Sequence, residues 1–151
     1  MKATFGAGCF WHVEDILSKT KGVSSTKVGY IGGHLPNPTY EEVCTDKTGH
    51  AEAVQVEYDP DEISFEDLLD IFWKNHNPTT LNRQGPDVGI QYRSAIFYHD
   101  DIQKDIAEKS KQFLDSSHVF ENPIVTQIVP APVFYDAEEY HQKYFKKHGL
   151  S

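Results

Sequence analysis

Cys9 is the residue of this chain best placed to do chemistry. It follows Gly6-Ala7-Gly8 and precedes Phe10-Trp11, so a thiol stands between a glycine turn and a helical pattern. In the first turn of a helix a cysteine faces unpaired backbone N–H groups and the positive end of the dipole, which favour thiolate over thiol. The glycines permit a sharp bend and leave the sulfur approachable. Free cysteine is also among the most buried residue types, so a small packed apolar residue is the competing reading. Phe10 and Trp11 are adjacent in a helix and do not share a face. Beside a thiol they suggest ring walls for a methyl or alkyl group; otherwise they are plain core.

A second cluster, Thr48-Gly49-His50-Ala51-Glu52, enters an alternating segment in which Glu52 falls on the same side as Val54, Val56 and Tyr58. A carboxyl on the core side of a strand has a raised pKa and makes a candidate proton donor. At the strand end it could equally reach solvent. A third cluster runs from Asn82 to Ser94 and is dense in hydrogen-bonding groups framed by glycine and proline. There Asp87, Tyr92 and Arg93 read either as a site or as turn-formers. Tyr40, beside Pro36-Asn37-Pro38, is as ambiguous. The eight histidines are scattered without metal-ligand spacing, and no phosphate loop or dinucleotide fingerprint exists, so no metal or nucleotide cofactor is expected.

The elements that must hold these residues follow from periodicity. Lys2–Phe5, Val23–Ile31, Ala51–Tyr58, Ser94–His99 and Ile124–Val129 read as strands. Helices are expected over Phe10–Ser18, Tyr40–Cys44, residues 65–75 behind a Ser64 cap, Asp100–Asp115 and Ala137–Lys146. Asn77–Gly89 is a long loop of the kind that usually carries function. This order predicts an α+β domain, a ferredoxin-like two-layer sandwich with helices packed on a mixed, largely antiparallel sheet.

Whole-chain properties exclude several classes. The 151 residues suit one domain, expected to cover 1–151. No apolar run approaches the length of a bilayer span, and no signal-peptide core follows the start. Fourteen basic against twenty-three acidic residues leave a formal charge of −9, which opposes binding to nucleic acid or to anionic membranes. Two distant cysteines fit a reducing cytoplasm better than a disulfide framework.

Taken together, the clusters resemble one family closely, the A-type methionine sulfoxide reductases. The matching stretches are Gly8-Cys9-Phe10-Trp11, Gly29-Tyr30-Ile31-Gly32-Gly33, Asn37 to Cys44, Thr48 to Glu52, Asn82 to Gly85 with Asp87-Val88-Gly89, and Tyr92-Arg93-Ser94. They come in the family's order over nearly the whole chain. The resemblance implies reduction of the S epimer of methionine sulfoxide, in peptides or free. In that scheme Cys9 attacks the sulfoxide sulfur, Phe10 and Trp11 hold the substrate methyl, and Glu52 protonates the oxygen. Tyr40 and Tyr92 donate hydroxyls to that oxygen, and Asp87 assists as a second carboxylate. A sulfoxide oxygen leaves poorly until protonated, so nucleophile, neutral acid and hydroxyl donors must meet at one sulfur. The product is methionine and a Cys9 sulfenic acid.

The chain departs from the family in two places. His12 stands where relatives often have glycine, and could tune Cys9 or merely point outward. The stretch Tyr144–Ser151 has no recycling cysteine, which leaves Cys44 as the only other thiol. Inside a short helix Cys44 reads as a packed small residue, so thioredoxin, glutaredoxin or a small thiol is the expected reductant of a monomer. The rival classes are another cysteine enzyme, a thiol peroxidase or an acyl-transfer enzyme, and a module that binds oxidised methionine without turnover. Glu52 has no duty in a Cys-His hydrolase, and a binder needs no reactive thiol.

Overall fold

The computed structural model describes residues 1–149. Its frame is β1 (Lys2–Ala7), α1 (Phe10–Ser18), β2 (Val23–Ile31), α2 (Tyr40–Val43), β3 (Ala51–Tyr58) and α3 (Phe65–Lys74). There follow the two-residue strands β4 (Arg83–Gln84) and β5 (Asp87–Val88), β6 (Ser94–Tyr98) and α4 (Asp101–Ser116). The chain then forms β7 (Gln127–Pro130), β8 (Tyr135–Asp136) and α5 (Tyr144–Lys147). The main sheet runs β7-β6-β1-β3-β2-β8, antiparallel throughout except for the parallel β6–β7 pair. Without its two edge strands this is the ferredoxin-like order, a β-α-β-β-α-β chain with β1 and β3 central, as the sequence predicts.

Local chemistry places the helices where expected. The Ser64 side chain accepts from the Asp67 N–H while Asp67 accepts from Ser64, so a capping box starts α3. Leu68, Leu69, Phe72 and Trp73 then line one face and pack on Phe5 and Ile96 in the main core. Asp100 caps α4 through the Gln103 amide.

Several elements differ from the sequence expectation, among them an added edge strand, β8. β3 is buried on both faces, because Ala51 and Ala53 join Ile31, Ala95 and Phe97 in a second cluster beneath Val129, Ala131 and Phe134. The strand expected at Ile124–Val129 lies at Gln127–Pro130, since pairing with β6 sets its register from Ala95↔Gln127 onward. The continuous helix expected over Ala137–Lys146 is instead a 3₁₀ turn at Glu139–His141 followed by the short α5. Between them Lys143 sits at φ 52°, its backbone N–H donating to buried Glu14 and its Nζ to the Thr26 carbonyl. Those tertiary bonds hold a left-handed residue that breaks the helix.

The sheet gathers the chemistry at one end. β1 finishes opposite the start of β6, with Ala7 facing Ser94, and β2 finishes opposite the start of β3, with Tyr30 facing Glu52. Residues that follow β1, open β3 and precede β6 therefore converge.

Candidate active site

Cys9 occupies the N-cap position of α1, half-buried and with no capping bond from its side chain, shortly after β1. Gly8 before it lies at φ +85°, and a Cβ there would come 2.7 Å from the Gln84 side chain. Only glycine suits both the turn and that close approach. Gln84 in turn clips Asn77 by donating to its carbonyl and accepting from its N–H, each at 2.8 Å, which seats the 77–89 segment beside the thiol. That segment is no structureless loop: it contains the β4–β5 hairpin and runs into a 3₁₀ turn at Ile90–Tyr92.

Glu52, 2% exposed, is the second residue of β3. One carboxyl oxygen, Oε1, accepts from the Phe10 N–H at 3.5 Å, so the acid lies beside the residue that follows Cys9. The other, Oε2, accepts from the Gln91 side-chain amide at 2.9 Å. Burial pushes Glu52 up to about 7, with Gln91 and Phe10 pulling the other way and Asp87 adding to the rise. The carboxyl is thus inward and about half neutral near pH 7.

The expected thiolate is absent from the resting site. Burial first, then the charges of Glu52 and Asp87, push the Cys9 thiol up to about 11, although the N–H groups of Trp11 and His12 pull it down. Desolvation and two carboxylates outweigh a helix terminus. His12 lends its backbone while its imidazole is exposed near Phe145.

Tyr92 closes the 3₁₀ turn, and burial together with Glu52 and Asp87 pushes its hydroxyl up to about 12. Tyr40 opens α2 behind a Thr39 capping box, its N–H donating to Glu138 at 2.9 Å, and burial and the neighbouring Cys44 thiol raise it. Both phenols therefore stay protonated donors. Cys9, Phe10, Trp11, Glu52, Tyr40 and Tyr92 come together here, joined by Asp87 through its charge on Cys9, Glu52 and Tyr92, whereas the Arg93 guanidinium donates to the Ile90 carbonyl and to Gln127.

Three further residues reach the site in ways the sequence did not assign. Gln91, 3% exposed, gives its amide to Glu52 and also to the Cys44 sulfur at 3.5 Å. Cys44, expected to be packed, is exposed at the C-terminus of α2, since the helix ends one residue before it. His141 is 1% exposed, its ring 5.2 Å from Phe10 and 4.5 Å from Tyr40, and its Nδ1 accepts from Trp11 Nε1 at 3.0 Å. The neutral ring therefore carries its proton on Nε2, which has no partner among the described residues. Trp11 also stacks flat on Tyr144 with centroids 3.7 Å apart. The apolar wall beside the thiol is thus completed by residues some 130 positions away.

A buried neutral carboxyl, a thiol, two phenols and an aromatic wall can protonate and deoxygenate a small thioether oxide. The family model described as peptide methionine sulfoxide reductase matches residues 1–150. The chain belongs to that family. It is accordingly an oxidoreductase that reduces methionine sulfoxide. A curated relative from Methanothermobacter thermautotrophicus, peptide methionine sulfoxide reductase MsrA, is 64% identical over 146 residues, spanning 97% of this chain and 86% of its own. Mxr1 from Saccharomyces cerevisiae in its reduced form superposes with a TM-score of 0.93 at 39% identity, covering 100% of this chain and 87% of that one. Mxr1 in complex with Trx2 matches at a TM-score of 0.68 and 31% identity, over 95% of this chain and 84% of that one. The fold of the reductase family is therefore the one described here.

Proposed function

We propose that Cys9 attacks the sulfur of S-methionine sulfoxide in oxidised proteins or peptides while Glu52 delivers a proton to the leaving oxygen. The observation that carries this reading is the Glu52 carboxyl, buried, raised to about 7 and hydrogen-bonded to the amide of the residue after Cys9. Tyr40 and Tyr92 donate to the same oxygen, the charge of Asp87 adds to the burial that raises Glu52, and Phe10 and Trp11 receive the methyl group. As the sulfur–oxygen bond breaks, the oxygen passes to Cys9 sulfur, so methionine sulfoxide and thiol become methionine and sulfenic acid. The thiol proton replaces the one Glu52 gave. Two external thiols then return Cys9 to its reduced form with release of water. A reductant of the thioredoxin kind is supported by the Trx2 complex of the yeast relative; glutaredoxin or a small thiol would serve the same chemistry.

This reading makes the chain a single catalytic domain over 1–151, a monomer repairing oxidised methionine under oxidative stress in the cytoplasm. No helix among the described residues is long and apolar enough to cross a membrane. Incubation with a racemic methionyl-sulfoxide peptide and dithiothreitol, followed by chromatography, tests the activity: one epimer is consumed and the other persists. Cys9→Ser abolishes turnover with an unchanged circular dichroism spectrum, because serine without a dedicated base is a poor nucleophile. Persistent turnover in that variant removes the thiol mechanism. Substrate alone leaves about one dimedone-reactive sulfenic acid per chain; a linked Cys9–Cys44 peptide pair instead makes Cys44 a resolving thiol and overturns the single-cysteine cycle.

A further inference from the structure

Gln91 is almost fully buried, and both its recorded side-chain hydrogen bonds are made by one atom. Nε2 donates at 2.9 Å to Glu52 Oε2 and at 3.5 Å to Cys44 Sγ. A side-chain amide has two hydrogens on that nitrogen, and these two contacts use both. Cys44 therefore serves to orient the amide: with one hydrogen directed to sulfur, the other is directed to the carboxyl. The remaining carboxyl contact, Phe10 N–H to Oε1, is at the 3.5 Å limit of a hydrogen bond.

A protonated carboxyl has one hydroxyl-type oxygen and one carbonyl-type oxygen, and the carbonyl type is the better acceptor. The short bond from Gln91 makes Oε2 that acceptor. We propose that Gln91 is a positioning residue for proton delivery: its amide pins Glu52 Oε2 as an acceptor and leaves the acid proton on Oε1, the oxygen beside Phe10 and Cys9. Without Gln91 the proton is shared between both oxygens, and half of the neutral acid aims it away from the sulfur. The same bond favours the carboxylate over the neutral acid, so it tempers the upward push of burial and holds the group near neutrality. One amide thus sets both the direction and the availability of the proton. The proposal rests on the reading of Glu52 as the acid.

The test separates the two. In protein labelled with ¹³C at the glutamate carboxyl and with ¹⁵N in glutamine side chains, Glu52→Gln identifies the Glu52 resonance by its loss. In the wild-type protein the Gln91 amide resonances, assigned by their loss in Gln91→Met, follow pH with the same midpoint as the Glu52 carboxyl. Gln91→Met keeps the side-chain length without a donor; it moves the Glu52 midpoint to higher pH and lowers kcat roughly 10-fold, the order expected for one lost hydrogen bond to an ionisable group, with KM within about twofold. A purely packing role would lower stability and leave the midpoint in place. Gln91 amide signals that ignore pH, or a Glu52 midpoint identical in Gln91→Met, overturn the proposal. Full turnover in Glu52→Gln instead overturns the acid assignment, whatever Gln91 does to the midpoint.

Discussion

Glu52 and Cys9 show how two neighbouring groups can be driven in the same direction with different consequences. Burial raises both, yet a carboxyl raised to about 7 becomes a usable acid whereas a thiol raised to about 11 becomes a dormant nucleophile. Glu52→Gln keeps the size of the side chain and removes the proton, so kcat falls by roughly 100- to 10,000-fold, the usual worth of general acid catalysis, in a steady-state assay. Activity within about twofold of wild type would pass the role to the phenols. The two phenols are not equivalent. Tyr40 lies against the Cys44 thiol, while the Tyr92 hydroxyl has no hydrogen-bond partner among the described residues and is free to serve a substrate. Tyr92→Phe therefore lowers kcat more than Tyr40→Phe, each by about 1–3 kcal/mol of barrier at most. Equal losses would show that Cys44 does not occupy Tyr40.

At the scale of elements, the site depends on short pieces held by caps. Helix α2 is four residues long and carries both Tyr40 and, at its end, Cys44. Its start rests on Thr39, whose hydroxyl accepts from Glu42 N–H at 3.2 Å while Glu42 accepts from Thr39 N–H at 3.0 Å. Thr39→Ala costs about 1 kcal/mol locally, so amide exchange at 40–44 quickens and kcat drops several-fold with little change in global stability. Unchanged exchange would assign the hold on α2 to the Tyr40–Glu138 bond. Elements of this kind divide into those legible in sequence and those that were not. The Ser64–Asp67 box, the alternation around Val54 and Val56 and the glycine turn before Cys9 are local signals, and each element lies where they indicate. The site residues were legible mainly because several short motifs recur together in one order. The charge state of Cys9 was not, since it depends first on burial by the assembled fold and then on carboxylates from β3 and β5 meeting at one sulfur. The break at Lys143 was hidden for a related reason: its cause is Glu14, at the other end of the chain. Gln91 and His141 look in sequence like any buried glutamine and any aromatic-helix histidine.

Across the whole molecule, two buried titratable groups pull stability in opposite directions over nearly the same pH range. Burial holds His76 down to about 4; its Nδ1–H donates to the Phe72 carbonyl, and Nε2 accepts from Ser94, whose hydroxyl accepts in turn from Thr126. As pH falls from about 6.5 to 4 the unfolded chain protonates this histidine and the folded one resists, so stability is lost. Glu52 behaves in reverse: between about 4.5 and 7 the unfolded chain ionises it and the folded one resists, so stability is lost as pH rises. Each effect amounts to about 3 kcal/mol at full extent. Urea unfolding from pH 4.5 to 7.5 separates them. Glu52→Gln leaves a profile that climbs with pH, and His76→Gln one that declines. Wild-type profiles in both variants would locate the pH dependence elsewhere.

The raised Cys9 thiol has a consequence for life among oxidants. With its pKa at about 11, only about one molecule in ten thousand carries a thiolate at pH 7. Peroxides and alkylating electrophiles react with thiolates, so they find almost nothing to attack in the idle enzyme. A repair enzyme that kept its nucleophile permanently armed would be consumed by the agents whose damage it mends. Here burial disarms the sulfur, the charges of Glu52 and Asp87 add to the effect, and overoxidation is discouraged in the idle enzyme.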